Sequence, residues 1–235
     1  MLRVKEMKIL LYDSGIGVIP FFFALCKNQK FHDYTIEMEE EFFPLGEKKQ
    51  DELEKYVRAK VAKWEQEHVD VVYIICNTFS MIYRSLSFPP HSFAIYTILE
   101  ENESFILPTT GILATNATAQ YFAKKGYHAY PASFLVRHIE EEKIDSLLLD
   151  IKQFSFQEKT ILLGCTHFTH IAFLLHKIYP QITWIDGYTS LIKRVPEGNH
   201  FSLTLNHKAK MWWKKFESCH KFSSSIYIDN VRWIL

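Results

Sequence analysis

The chain has 235 residues, enough for one large domain or two small ones, and its 48% hydrophobic content can build proper cores. Lys plus Arg equals Asp plus Glu at 27 each, so no basic field draws nucleic acid or anionic membrane, and neither is expected as a partner. Cys26, Cys76, Cys165 and Cys219 form no small disulfide framework and no Cys-x-x-Cys zinc pattern. The apolar run in MLRVKEMKILL is too short for a signal peptide or a membrane span, so a reducing cytoplasm is the expected address.

Met7 to Tyr12 (MKILLY) reads as a buried first strand. Asp13-Ser14-Gly15-Ile16-Gly17 follows as a loop whose glycines let backbone amides face a ligand, with a helix starting near Pro20. An isolated Asp-Ser-Gly is more often a turn or cap, and a lone GxG without Lys-Ser/Thr is no P-loop. Tyr34 to Met38 alternates as a second strand, and Glu39 to Glu41 open a loop with the apolar tip Phe42-Phe43-Pro44-Leu45-Gly46. From Glu47 to His68, Leu53, Tyr56, Val57, Val61 and Trp64 recur at helical spacing, the stripe of a helix covering a sheet. Val69 to Ile75 is the most strand-like run of the first half and ends on Cys76-Asn77-Thr78.

Beyond a proline-containing linker, Phe88 to His91, the sequence predicts a strand at Phe93 to Ile98 and an exposed stretch at Glu100 to Ser104. Thr110 to Ala114 is another strand, followed by Thr115-Asn116-Ala117-Thr118 and a helix that Gly126 stops. After a short strand at Tyr127 to Tyr130, Ser133 to Glu142 reads as a helix with Phe134, Ile139 and Leu135 turned inward. Glu140 lies in an acidic run of three, where solvation is the usual role. Ile161 to Thr169 (ILLGCTHFT) places an apolar run before Cys165-Thr166-His167 and continues as a helix to Tyr179. A strand at Ile182 to Asp186, a helix at Tyr188 to Val195, a strand from His200, a helix at Lys208 to Phe216 and a strand at Ile226 to Asp229 complete the order. Met211 to Lys215 (MWWKK) is better explained by an amphipathic helix packing its tryptophans inward than by a nucleic-acid patch.

A weak internal repeat runs through this order. KILLYDSG pairs with TGILATNAT and VVYIICNTFS with TILLGCTHFT, 63 residues separating Asp13 from Cys76 and 50 separating Thr115 from Cys165. Each cysteine sits where a buried strand ends and a helix begins. In open α/β sheets ligands bind at that edge, and oriented N–H groups there favour a thiolate. Two plainer readings compete: both cysteines are core thiols, or Cys165 and His167 help bind zinc. The first leaves the paired placement unexplained; the second lacks an evident fourth ligand.

Asp-Ser-Gly-Ile-Gly after the first strand, Pro-x-Gly after the second and Cys-Asn-Thr after the third resemble the glutamate racemases of the aspartate/glutamate racemase superfamily. Thr-x-Ala-Thr opening the second half and Gly-Cys-Thr-His near its end extend the resemblance over about Lys8 to Asp186. It implies two similar, pseudo-symmetric α/β lobes with mostly parallel sheets and the active site in the cleft between them. The expected division is an N-terminal lobe over 1–95, a second lobe over 96–200, and a segment 201–235 returning to the first. It also implies a homodimer that needs neither pyridoxal phosphate nor metal, acting on a small acidic amino acid. By similarity Cys76 and Cys165 move protons on opposite faces of the α-carbon. Asp13 assists Cys76, and His167 with Glu140 assists Cys165. Ser14, Leu45, Gly46, Asn77, Thr78, Thr115 and Thr166, together with Asp13 and His167, are the expected substrate contacts. The sequence departs from the family pattern at Leu45, where tyrosine is usual, and at Phe79, which is expected to narrow the cleft. The alternatives are a racemase of another acidic amino acid such as aspartate, and a silent member that binds an acidic ligand or a protein.

Overall fold

The computed structural model describes residues 6–220, with 216–220 described for their backbone alone. The expected strand at Ile226 to Asp229 and the side chain of Cys219 lie outside the described residues. The first half runs β1 (Lys8–Asp13), α1 (Val18–Lys27), β2 (Lys30–Met38), a 3₁₀ turn (Leu45–Glu47), α2 (Gln50–Gln66), β3 (Val71–Ile74), α3 (Asn77–Ser85), β4 (Ala94–Thr97) and α4 (Ile98–Phe105). The second continues with β5 (Gly111–Ala114), α5 (Asn116–Lys124), β6 (Ala129–Pro131), α6 (Ser133–Glu140), α7 (Ile144–Ile151) and β7 (Thr160–Leu163). After β7 come a 3₁₀ segment (Thr166–Ile171), α8 (Ala172–Ile178), β8 (Thr183–Ile185), α9 (Tyr188–Arg194), β9 (Gly198–Leu205) and α10 (His207–His220).

The strands form two sheets, ordered β4-β3-β1-β2-β9 and β6-β5-β7-β8. Every pairing among them is parallel. Read from its other end, the second sheet is β8-β7-β5-β6, the order of β4-β3-β1-β2 with β1 matched to β5 and β3 to β7. This is the physical content of the sequence repeat: both motif pairs follow the central strand and its neighbour of a sheet. The expected two-lobed α/β class is therefore the observed one.

Parallel strands covered on both faces must be apolar on both, and β3 and β5 are buried at every position. Their alternate residues divide between two cores, Ile9, Leu11, Tyr73, Leu113 and Leu163 in one and Leu10, Val72, Ile74, Ile112 and Leu162 in the other. Each core takes side chains from both sheets, so the two halves share their packing. The α2 stripe behaves as its spacing predicts, with Leu53, Val57, Val61 and Trp64 buried.

Four local expectations change. The stretch expected to be exposed at Glu100 to Ser104 is α4, in which Glu101 and Asn102 are buried. Arg194 Nε donates to Glu101 Oε1 at 2.9 Å, so this carboxylate is buried against a partner 93 residues away. Phe134 does not turn inward: it is 42% exposed, and Leu135, Val136 and Ile139 take the core instead. Helix α7 is an addition, and the helix expected directly after Cys165 begins as a 3₁₀ segment before α8. In α10, Trp213 stacks on Phe23 at 5.6 Å and meets Phe22 edge-on, as the inward reading of that helix requires. No helix among the described residues is long and apolar enough to cross a membrane.

Candidate active site

Parallel strands bring their C-terminal ends to one side of each sheet, and the two sheets turn those ends toward each other. A cavity of about 20 Å³ lies between them, lined by Ser14, Leu45, Gly46 and both cysteines, with Asn77, Thr78, Thr115, Thr166 and His167. Ten of the expected site residues thus meet at one place. Asp13 and Glu140 stand behind this lining, each bonded to a residue within it. Cys76 occupies the N-cap position of α3 and Cys165 the corresponding position of the 3₁₀ segment. Cys26 is partly buried on α1.

Around the first sulfur, Ser14 Oγ lies 3.3 Å from Cys76 Sγ and donates to Asp13 Oδ1 at 3.4 Å. Asp13 also accepts from Gly15 N at 3.4 Å and from Thr166 Oγ1 at 2.8 Å, the last a bond from the opposite sheet. Burial pushes the Asp13 carboxyl up to about 6, although the charge of His167 and the Thr166 bond pull the other way. Burial, and then the charge of Asp13, push the Cys76 thiol up to about 12. At neutral pH Cys76 is therefore a thiol.

The second sulfur has a different environment. Cys165 Sγ lies 3.8 Å from His167 Nδ1, and His167 Nε2 lies 2.8 Å from Glu140 Oε1. Ile16 N donates to the same carboxylate oxygen at 3.1 Å. Burial opposes a charged imidazole, but the bonds to Cys165 and Glu140 outweigh it and raise His167 to about 10. Burial likewise opposes the Glu140 carboxylate, and His167 outweighs it, holding Glu140 below its usual range. The pair is an imidazolium and a carboxylate, with the imidazolium facing Cys165. His170 differs: burial pushes it down to about 4, and its neutral ring donates from Nε2 to Ile16 O at 3.0 Å.

The remaining wall is neutral and hydroxyl-rich. Thr78 Oγ1 lies 3.2 Å from Thr115 Oγ1 and 3.3 Å from Thr118 Oγ1, joining α3 to the start of α5. Gly46 presses against Thr115, where a Cβ would come within 2.6 Å of the threonine Cβ. Phe79, expected to narrow the cleft, does not line it. Its ring is 0% exposed and packs on Tyr12 and Trp64, because the third residue of α3 points to the core rather than the cavity.

Three contributors were not among the expected site residues. Thr118 completes the hydroxyl cluster, and Asn102 bonds Asn77 from α4. Lys208, from α10, reaches Ser14 O at 3.4 Å and lies 4.0 Å over the Phe43 ring. Among the described residues no group of three or more His, Cys, Asp or Glu is placed to hold a metal ion, so the zinc reading finds no ligand set.

Two parallel α/β units with the same strand order, facing each other across a cleft, form the two-lobed fold also seen in solved glutamate racemases. No family model matches the chain. The resemblance to glutamate racemases read from the sequence holds in comparison with known proteins. The glutamate racemase of Vibrio campbellii is 28% identical, over 97% of this chain and 89% of that protein. Crystal structures extend the likeness in fold. The Thermus thermophilus glutamate racemase, in complex with β-chloro-D-alanine, superposes with TM-score 0.73 at 16% identity, over 98% of this chain and 100% of that one. The Francisella tularensis enzyme, in complex with D-glutamate, gives 0.70 at 20% identity, over 92% and 95%. These relatives support racemase function, and with it an isomerase.

Proposed function

We propose that the chain interconverts L- and D-glutamate by proton transfer between two thiols, with the substrate held between the lobes. The first lobe is built on the sheet β4-β3-β1-β2-β9 and the second on the sheet β6-β5-β7-β8. The observation that carries this reading is that Cys76 and Cys165 line one cavity from different sheets, each beside a separate acid or acid–imidazole system. Two core thiols would have no need of such settings. An acidic amino acid is the partner the chemistry requires; a homodimer accompanies the reading by resemblance, and a reducing cytoplasm by the scattered cysteines.

In one direction a Cys165 thiolate, facing the His167 imidazolium, takes the α-proton. The C–H electron pair moves onto the α-carbon and into its carboxylate. Cys76, protonated in its buried setting, delivers its proton to the opposite face, and the two sulfurs finish with their protonation states exchanged. The reverse reaction starts from that exchanged state. An amino-acid α-proton is far less acidic than a thiol, whose usual value is about 8.5, so the developing carbanion must be stabilised. Fixed N–H groups at the start of α3 and the threonine hydroxyls do this best in a site that excludes water.

The test is proton NMR in heavy water with each enantiomer of glutamate and aspartate, following loss of the α-proton together with optical rotation. Exchange with inversion of both glutamates is expected. Cys76→Ser and Cys165→Ser should each abolish interconversion and leave slow exchange from one enantiomer only, opposite in the two variants, while Cys26→Ser changes little. Full activity in Cys76→Ala or Cys165→Ala overturns the two-thiol mechanism. Absence of exchange in folded, reduced protein overturns the glutamate assignment.

A further inference from the structure

Asn77 and Asn102 are 3% and 1% exposed. Asn102 Nδ2 donates to Asn77 Oδ1 at 2.9 Å, which uses the Asn77 acceptor and leaves Asn77 Nδ2 without a partner. A buried donor without an acceptor is costly unless something arrives to meet it. Asn77 lines the cavity, so its amide nitrogen is a donor kept for whatever enters. It is also the first residue of α3, a nine-residue helix whose free N–H groups favour an anion at that end.

Asn102 itself does not line the cavity, its own Oδ1 is likewise buried without a partner, and the helix that carries it is anchored on either side. The Thr97 side chain caps α4 by accepting from Glu100 N at 3.3 Å, and Arg194 anchors the adjacent Glu101. Gly187 leaves the space Asn102 needs: a Cβ there would lie 2.6 Å from Asn102 Oδ1.

Resting on the racemase reading, we propose that Asn102 is a positioning residue that sets the polarity of substrate recognition. By occupying the Asn77 carbonyl oxygen, it turns the Asn77 amide nitrogen to the cavity and makes that position a receptor for a substrate carboxylate. The reverse pairing, Asn77 donating to Asn102, would present an oxygen there instead. That oxygen would suit an ammonium group and repel a carboxylate.

The replacement Asn102→Asp separates the two. An aspartate can only accept, so it draws the Asn77 amide nitrogen to itself and shows the cavity an oxygen. The KM for both glutamates should rise about 10- to 100-fold, the value of a hydrogen bond to a charged group, while kcat stays within about threefold. Asn102→Ala, which lets the Asn77 amide turn freely, should give a smaller rise. A second readout needs no variant: in ¹⁵N-asparagine-labelled wild-type protein, D-glutamate should shift the Asn77 side-chain amide and leave that of Asn102 nearly unmoved. An unchanged KM in folded Asn102→Asp, or an unmoved Asn77 signal in protein that turns over glutamate, overturns the positioning role alone. Wild-type protein that neither binds nor turns over glutamate overturns the racemase reading and this role with it.

Discussion

Gly15 marks how closely the first loop approaches the second half of the site. A Cβ there would lie 2.3 Å from Glu140 Oε1 and 2.4 Å from His167 Nε2. Gly15→Ala should therefore force the Glu140–His167 bond apart and lower kcat about 100-fold, the order expected when catalytic groups move by an ångström. Retention of kcat within threefold would show that the loop yields instead. His167 also makes stability depend on pH. Its folded value, about 10, lies above the ordinary 6.5, so its contribution is fully present below pH 6.5 and is lost as the pH rises through 10. The advantage of wild type over His167→Gln in urea unfolding should thus be a few kcal/mol at pH 6 and shrink toward pH 10, and a constant difference would refute it. The strand-end pattern made Cys76 and Cys165 legible, while the roles of Asp13 and His167 came only with the family resemblance. Asn102 was not legible, since its role depends on Asn77, 25 residues away.

Among the elements, α10 has the least expected connection to the site. Its periodicity announces an amphipathic helix, and Trp213 meets Phe22 and Phe23 as that pattern requires. Nothing in the pattern says that Lys208 will reach Ser14 O and lie over Phe43. Burial lowers the Lys208 value while Glu140 and Asp13 oppose the change, so the ammonium is a desolvated charge shared with the site carboxylates. Lys208→Met keeps the stem against Phe43 but removes the charge that helps hold Glu140 ionised. The acid limb of the kcat/KM profile should then move to higher pH, because a carboxyl without its cation protonates sooner. An unmoved limb would mean that Lys208 only packs. The same dependence on distant partners misled the reading of α4, whose glutamate is buried against α9. Helix α7 escaped for a local reason: LLL at its centre blurs the helical period, Leu147 being buried and Leu149 65% exposed.

For the whole molecule, two lobes could be read from the repeat, but the strand order could not, because sheet neighbours are chosen by packing across the chain. That β9 should pair with β2 across more than 160 residues is a property of the assembled first sheet. The assembled cleft is tight: its cavity of about 20 Å³ holds about one water, and glutamate is many waters in size. Gly46 meets Thr115 across the cleft, so entry is expected to part the loop carrying Leu45 and Gly46 from the second lobe. The Glu47–Arg137 ion pair at its rim is no latch, since its side chains are 29% and 53% exposed and such pairs contribute about 0–1 kcal/mol. Closure rests on Leu45, 1% exposed, and on the fit of Gly46 to Thr115. A bound glutamate touching both lobes should therefore stabilise the whole molecule. At 100 times Kd it adds about 2.7 kcal/mol, which for a chain of this size raises Tm by about 5–10 °C. Gly46→Ala, whose new Cβ would meet Thr115 at 2.6 Å, should hold the cleft ajar. Its unliganded Tm should stay close to wild type, while the glutamate-dependent rise at the same concentration largely disappears. A full rise in Gly46→Ala would show that the ligand is held without closure, and no rise in wild type would show that glutamate does not bind the folded chain.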